Sequence, residues 1–207
     1  MYWSTNEADF GPRPGYIAAS MNQMINAMFR SACCGGAVVS ILLSGIGCDG
    51  TAPKNALATW KTFSPPGGNF SVMMPPNPVE DVPKTKTAYE AKTYHIVSAM
   101  SNLAALAVGY SDQPSNKAFE KDPKKVLDAV LKQAVSDQRG ELISEKPITI
   151  KNYPGREFAA SVKGGLTVRQ RIYLVNKRIY SLMIITGSKG LDSAEARTFF
   201  DSFQILN

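Results

Sequence analysis

The residues with the clearest chemical meaning lie in the first quarter of the chain and end in a cysteine. Arg30 precedes an uncharged apolar run from Ala37 to Gly47, and Cys48 follows that run directly. A basic start, a short apolar run and small residues before a processing point are the pattern of a secretory signal. The run is too short to span a bilayer, which takes about 20 residues. We therefore predict that residues 28–47 direct export.

The last residues of this run, Ile46-Gly47-Cys48, resemble the lipobox of bacterial lipoproteins. In that class the cysteine is acylated and becomes the mature N-terminus. The resemblance implies a membrane lipid partner attached through Cys48. An ordinary cleaved signal and an uncleaved anchor or buried apolar segment are the two alternatives. Processing at Cys48 would remove Cys33 and Cys34 and leave no thiol for a disulfide.

The signal pattern divides the chain into four parts. Residues 1–27 carry acidic residues and prolines and do not suit a signal, so we expect translation to start at Met28, or at Met21 or Met24. The alternative is a disordered N-terminal extension. Residues 48–59 are predicted to be a flexible lipidated tether, because they are rich in small and polar residues without an apolar period. Residues 60–207 are long enough for one domain with a sizeable core.

Few residues of that domain suggest catalysis or metal binding. His95 is the only histidine of the chain, whereas zinc sites draw on several His or Cys ligands and a nucleophilic triad needs a base beside a Ser or Cys. The pairs Gly67-Gly68 and Gly164-Gly165 lack the spacing of phosphate-binding loops. We predict no metal, no cofactor and no enzymatic activity.

The net charge of +6 comes from scattered basic residues rather than from one basic patch. A nucleic-acid binder concentrates its basic residues along one face or helix, usually together with aromatic residues. The pattern indicates an ordinary solvated surface, and we predict no nucleic-acid partner. Attraction to an anionic membrane surface is the alternative.

Hydrophobic patterning places strands and helices along the domain. A helix is predicted from Asp122, a suitable N-cap before Pro123, to Gly140, a possible left-handed stop. A second helix is predicted from Asp192, with Glu195 at capping-box spacing. Strands are predicted at 60–63, 70–74, 86–98, 103–111, 142–150, 156–162, 168–175 and 178–186, with the strand that contains Pro147 at an edge. The predicted fold class is therefore α+β, an antiparallel sheet with helices on both faces.

The register of the last three strands predicts which side chains meet. A loop of Gly164 to Leu166 would pair Val162 with Val168, and a turn at Asn176-Lys177 would pair Tyr173 with Tyr180. Glu157 would then lie opposite Tyr173 and diagonal to Arg171. One reading of this face is a covered charge pair. The other is an anion- or peptide-binding patch. The predicted patch consists of Glu157, Arg169, Arg171, Tyr173 and Tyr180.

The order of these motifs resembles the PsbP-like group. The motifs are a Trp and Phe-Ser-Val strand, a hairpin, an amphipathic helix, an edge strand, Tyr153-Pro-Gly-Arg-Glu-Phe158, Arg171-Ile-Tyr-Leu-Val, Arg178-Ile-Tyr-Ser-Leu-Met and a final Ala-Arg-Thr-Phe-Phe-Asp-Ser-Phe. The resemblance covers roughly residues 60–207 and includes DcrB-type lipoproteins. It implies an α/β/α sandwich and an extracytoplasmic setting, often with a lipid anchor. It implies no shared catalytic residues.

These observations favour a membrane-anchored envelope lipoprotein whose domain is a non-catalytic binding or assembly module for an envelope protein. We expect it on the extracytoplasmic side, in the periplasm or at the cell surface. An envelope enzyme or small-ligand carrier with a cleft at the sheet edge is the first alternative. A photosystem-associated extrinsic subunit is the second.

Overall fold

The computed structural model describes residues 56–81, 84–86, 91–101, 103–112, 122–187 and 190–206. The predicted signal segment, Cys48 and the first part of the predicted tether lie outside these residues. Ala56–Thr59, which the sequence placed in the tether, forms a 3-10 turn. Leu57 of that turn packs against the core. The folded domain therefore includes residues from Ala56 onward.

The described part of the chain contains eleven strands and two α-helices. In chain order these are β1 (Lys61–Phe63), β2 (Phe70–Met74), β3 (Val79–Asp81), β4 (Lys84–Lys86), β5 (Ala91–Met100), β6 (Ala104–Asp112), α1 (Pro123–Asp137), β7 (Glu141–Ile150), β8 (Tyr153–Val162), β9 (Leu166–Val175), β10 (Arg178–Gly187), α2 (Ala194–Asp201) and β11 (Gln204–Ile205).

The strands form one large and one small antiparallel sheet. The main sheet has the order β3-β5-β6-β10-β9-β8-β7, with β4 also paired to β5, and the small sheet has the order β1-β2-β11. The predicted α+β class with an antiparallel sheet is confirmed. β7, which contains Pro147, is an edge strand as predicted. Pro147 suits an edge because its nitrogen cannot donate to a ladder.

Helix α1 covers one face of the main sheet, against β8 and β9. Leu127 and Leu131 of the helix pack with Phe158 and Ile172 of the strands. Asp122 is the N-cap, since its side chain accepts from the Lys125 amide. The predicted stop at Gly140 is wrong in detail, because Arg139 is the residue with positive φ, at 48°.

The glycine at the end of α1 has a packing role instead of a conformational one. The Arg139 amide donates to the Ser136 carbonyl and the Gly140 amide donates to the Val135 carbonyl. These two bonds form a Schellman motif. A Cβ on Gly140 would lie 2.8 Å from the Ser161 carbonyl oxygen, so the position is restricted by its contact with β8.

Helix α2 and the small sheet cover the opposite face of the main sheet. Their shared core is aromatic and includes Phe70, Tyr110, Tyr180 and Phe203. The predicted start of this helix at Asp192 is corrected to an N-cap at Ser193, whose side chain accepts from the Ala196 amide. Asp192 is instead bonded to Arg169. Both faces of the sheet are thus covered, as predicted.

The register of β8 against β9 differs from the predicted one by two residues. The turn consists of Lys163, Gly164 and Gly165, so Val162 pairs with Leu166 and Glu157 with Arg171. The predicted faces are nevertheless correct, because a shift of two residues preserves the alternation of side chains. The predicted pairing of Tyr173 with Tyr180 is confirmed.

Candidate functional site

Glu157 and Arg171 form the centre of the predicted patch. They face each other across β8 and β9. Arg171 Nε donates to Glu157 Oε2 at 2.6 Å, and Lys146 Nζ of β7 lies 3.0 Å from Glu157 Oε1. The Glu157 side chain is only 11% exposed, whereas that of Lys146 is 63% exposed. Glu157 is therefore a buried carboxylate with one well-covered and one solvated cation.

Arg171 also binds the end of helix α2. Its Nη1 donates to the Phe200 carbonyl oxygen and to Asp201 Oδ1, each at 3.2 Å. Its guanidinium carbon lies 4.8 Å from the centre of the Phe200 ring, within the range of a cation–π contact. One arginine thus joins β8, β9 and the C-terminus of α2. A cation near a helix C-terminus is also favoured by the helix dipole.

The charges of this cluster hold each other in their ionised forms. Burial alone would raise the pKa of Glu157, but hydrogen bonds from Arg171 and Lys146 outweigh it, so the pKa of Glu157 lies below its usual value. Burial alone would lower the pKa of Arg171, and its bond to Glu157 reverses that effect, so the pKa of Arg171 is raised. A carboxylate held in its charged form in this way is suited to structural pairing.

Arg169 lies on the same face and binds the chain just before α2. Its Nη1 donates to the Leu191 carbonyl oxygen and its Nη2 to Asp192 Oδ1, both at 3.0 Å. Asp192 is mostly exposed, with 83% of its side chain accessible. Arg169 and Arg171 therefore bind opposite ends of the same helix. Together they fix α2 along this face of the sheet.

The two tyrosines of the predicted patch are buried beneath α2 and the small sheet. The ring of Tyr173 stacks on that of Phe203, with centroids 5.8 Å apart. The Tyr180 hydroxyl donates to the Gly68 carbonyl oxygen at 2.9 Å. Burial raises the pKa of both phenols, although nearby arginines oppose the shift. The structure thus places all five patch residues on one face, where each contacts its own chain. Ligand binding by the patch stays a prediction.

A second charged cluster, at the first residue of β10, was not identified from the sequence. Arg178 pairs with Asp112 through Nε at 2.6 Å and Nη2 at 2.8 Å. Its guanidinium lies 4.7 Å from the Tyr110 ring centre. The ring of His95 stacks on Tyr110 at 4.5 Å. Only the pairing of β5, β6 and β10 brings these residues together, and no sequence motif reports that pairing.

This second cluster also fixes the loop between β1 and β2. Arg178 Nη1 donates to the Gly67 carbonyl oxygen at 2.6 Å. The bonds to Asp112 raise the pKa of Arg178, while the hydrogen bond from Arg178 first of all lowers the pKa of Asp112. Both clusters therefore tie the outer layer of the domain to the main sheet. Among the described residues, no group of three or more His, Cys, Asp or Glu side chains could hold a metal ion.

The fold can be compared with those of known proteins. No family model matches the sequence, and no curated protein matches it. The chain is similar to the solution structure of cyanobacterial PsbP from Synechocystis sp. PCC 6803, with a TM-score of 0.50 and 13% identity. The alignment covers 82% of this chain and 99% of that chain. The chain has a PsbP-like fold.

A second similar structure is that of a Pseudomonas aeruginosa protein described as of unknown function. Its TM-score is 0.36 at 13% identity, with 64% of this chain and 85% of that chain covered. The similarity to cyanobacterial PsbP confirms, at the level of the fold, the resemblance of the sequence motifs to the PsbP-like group. In this PsbP-like domain, the region from Tyr153 to Phe158 forms the first part of β8. Arg171 binds the end of α2, and Arg178 binds the loop between β1 and β2. No helix of the described residues is long and apolar enough to cross a membrane.

Proposed function

We propose that this protein is a lipoprotein of the cell envelope, anchored through Cys48, whose PsbP-like domain binds or assembles other envelope components without catalysing a reaction. One observation carries the proposal. A basic start at Arg30, a short apolar run and the lipobox-like Ile46-Gly47-Cys48 stand directly ahead of a single folded domain. That order suits a domain held by a short tether at a membrane surface.

The contacts of these charged residues support the non-catalytic part of the proposal. Arg171, Arg169 and Arg178 each bind an acidic side chain and at least one backbone carbonyl oxygen of their own chain. Groups engaged in this way stabilise the positions of the outer elements. The one histidine, His95, stacks on Tyr110 and so has a packing role.

A lipid anchor at Cys48 would be firm. A single acyl chain holds a protein only marginally, and stable attachment takes at least two signals. The lipoprotein modification supplies two or three chains on one cysteine. The extracytoplasmic side is proposed because the sequence resemblance implies that setting and because an acylated mature N-terminus requires export.

Fractionation of cells that express Cys48→Ser tests the anchor. We expect the parent protein in the membrane fraction and the variant in the soluble fraction or retained as an unprocessed precursor. The variants Cys33→Ser and Cys34→Ser are matched controls, because they change a cysteine outside the predicted acylation point. If Cys48→Ser remains membrane-bound at its mature mass while a control variant is released, the assignment of the acylated residue is wrong.

Affinity capture of the native protein from solubilised membranes tests the binding role. We expect one or more envelope proteins to co-purify with the parent in amounts comparable to it. A variant that loses its partner while its unfolding temperature is unchanged would locate the binding surface. Turnover of a substrate by the purified domain would contradict the non-catalytic assignment.

A further inference from the structure

The two ends of the main sheet differ in what they contact. At one end, Arg178 and Tyr180 bind the loop between β1 and β2 through the carbonyl oxygens of Gly67 and Gly68. The outer ends of β1 and β2, where Lys61 pairs with Met74, must therefore point toward the other end of the sheet. At that other end the chain turns from β5 into β6.

The chain before the domain enters β1 at the strand ends that point toward this second end. The turn Ala56–Thr59 leads directly into β1, whose first residue, Lys61, lies beside Met74. Soon after Met74 the chain enters β3 at Val79, which pairs with Ser98 near the end of β5. We call this end, which contains Val79, the β5–β6 turn, the β8–β9 turn and the start of β7, the tether end.

Exposed apolar side chains are concentrated at the tether end. Val79 is 65% exposed, Met100 is 52% exposed and Leu103 is 58% exposed. Leu142 and Ile143, at the start of β7, are 45% and 59% exposed. These five are among the six exposed large hydrophobic residues of the described chain.

The sixth such residue lies at the opposite end. Leu206 is 41% exposed, and its amide donates to the Asn69 carbonyl oxygen in the loop between β1 and β2. The five lie along one end of the main sheet, from the β3 edge to the β7 edge, and do not form one contiguous patch, so a broad partner surface would contact them together. The asymmetry between the two ends therefore indicates that the tether end contacts an apolar medium or partner.

Exposed basic residues accompany the apolar ones at the tether end. Arg139, after α1, and Lys163, in the β8–β9 turn, are both exposed. Glu80, beside Val79, and Glu141 are exposed acidic residues of the same end and balance this charge, and Asp192 is paired with Arg169. Basic residues beside apolar ones are typical of surfaces that rest in the headgroup region of a membrane.

We propose that the tether end docks on the lipid bilayer, with Met100 and Leu103 of the β5–β6 turn in the interfacial region. This inference rests on the proposed anchor at Cys48. The chain from Cys48 to Ala56 spans at most about 28 Å when fully extended, so an acylated Cys48 would keep Ala56, before the strand ends that point toward the tether end, close to the headgroups. The domain would then stand on this end and present the Arg178 cluster away from the membrane.

Tryptophan fluorescence of the full chain in vesicles tests the orientation. The variant Leu103→Trp adds a reporter at the tether end, and Leu206→Trp is the matched control at the opposite end. Each protein is isolated from membranes and reconstituted into phosphatidylglycerol–phosphatidylcholine vesicles with brominated acyl chains, which quench nearby indoles. The parent, whose mature chain from Cys48 onward contains Trp60 alone, gives the baseline. Vesicle flotation of the same samples measures anchoring.

The proposal predicts that the added indole at position 103 is quenched at least about twofold more strongly than the one at position 206, because only the former reaches the acyl region. Equal quenching of the two in floating samples would overturn the docking while leaving the anchor intact. If the indole at position 103 is shielded only in native membranes and not in protein-free vesicles, the docking on lipid is also overturned. That result would indicate a protein partner. Failure of the parent to float would reject the anchor and the docking together.

Discussion

Replacement of Arg171 by alanine separates the two readings of the patch that contains it. The variant Arg171→Ala removes the well-covered cation beside Glu157, together with the hydrogen bonds to Phe200 and Asp201. Glu157 stays on β8, where its side chain is 11% exposed. A buried carboxylate would thus be left with Lys146 alone. We expect a large loss of stability.

The size of that loss follows from the surroundings of Glu157. Removal of one partner from a buried ion pair costs about 3–5 kcal/mol, because the other charge remains desolvated. Lys146 still lies 3.0 Å from Glu157, although it is mostly exposed. The lower end, about 3 kcal/mol, is therefore expected. In a domain of this size that corresponds to a fall in Tm of about 6–12 °C.

The loss should also depend on pH in a defined direction. The pKa of Glu157 is lowered from 4.5 in the folded parent, so the stability that the pair contributes is present above pH 4.5 and is lost as the pH falls through the folded pKa. In Arg171→Ala, burial without the arginine favours the neutral carboxyl. The difference in unfolding free energy between parent and variant should therefore shrink below pH 4.5.

Urea unfolding at pH 7 and pH 4 measures both effects. The double variant Glu157→Leu, Arg171→Met is the matched control, since replacing both charges by apolar groups removes the desolvation penalty. We expect it to recover at least half of the lost stability. An Arg171→Ala variant as stable as the parent, or one whose deficit is the same at both pH values, would refute the structural role. Such a result together with loss of a ligand would favour the binding patch.

Three further substitutions test local features of the fold by urea unfolding or light scattering. Arg139→Gly should stabilise the domain by about 1 kcal/mol, because glycine adopts the left-handed conformation without strain; an unchanged midpoint would contradict this. Gly155→Ala should destabilise it by about 2–3 kcal/mol, since a Cβ would lie 2.6 Å from the Ile172 carbonyl oxygen. The control Gly187→Ala meets no atom within 4 Å and should be neutral. Pro147→Val should promote self-association of the β7 edge; an unchanged monomer would argue against that protection.

The sequence specified the faces of the sheet better than its register. Side chains on β8, β9 and β10 alternate between the two faces of the sheet. Phe158 and Ile172 were therefore placed on one face, and Glu157 and Arg171 on the other. The β8–β9 turn was placed one residue too late, at Gly164 to Leu166, because the same two glycines also fit the loop of Lys163 to Gly165 that the structure has. Both have positive φ in the structure. Moving the loop by one residue shifts the pairing by two and leaves the faces unchanged.

Other features were missed because they depend on distant contacts. β11, of two residues, is too short for any alternation, and it exists because Ile205 pairs with Phe70. The cluster around Arg178 needs β6 beside β10, and Asp112 is separated from Arg178 by a whole helix and three strands. The cap of α2 was placed at Asp192 because two capping residues stand next to each other there. In the structure the Asp192 side chain is bonded to Arg169, and the Ser193 side chain is the one that caps the helix.

The mass of the native mature protein, isolated from membranes, tests the proposed anchoring most directly. We predict a chain that begins at Cys48 and carries the additional mass of two or three acyl chains, with residues 1–47 absent. Fragmentation should place the added mass on the first residue. A mature chain that begins before Cys48, or one that begins there without an acyl group, would contradict the proposal.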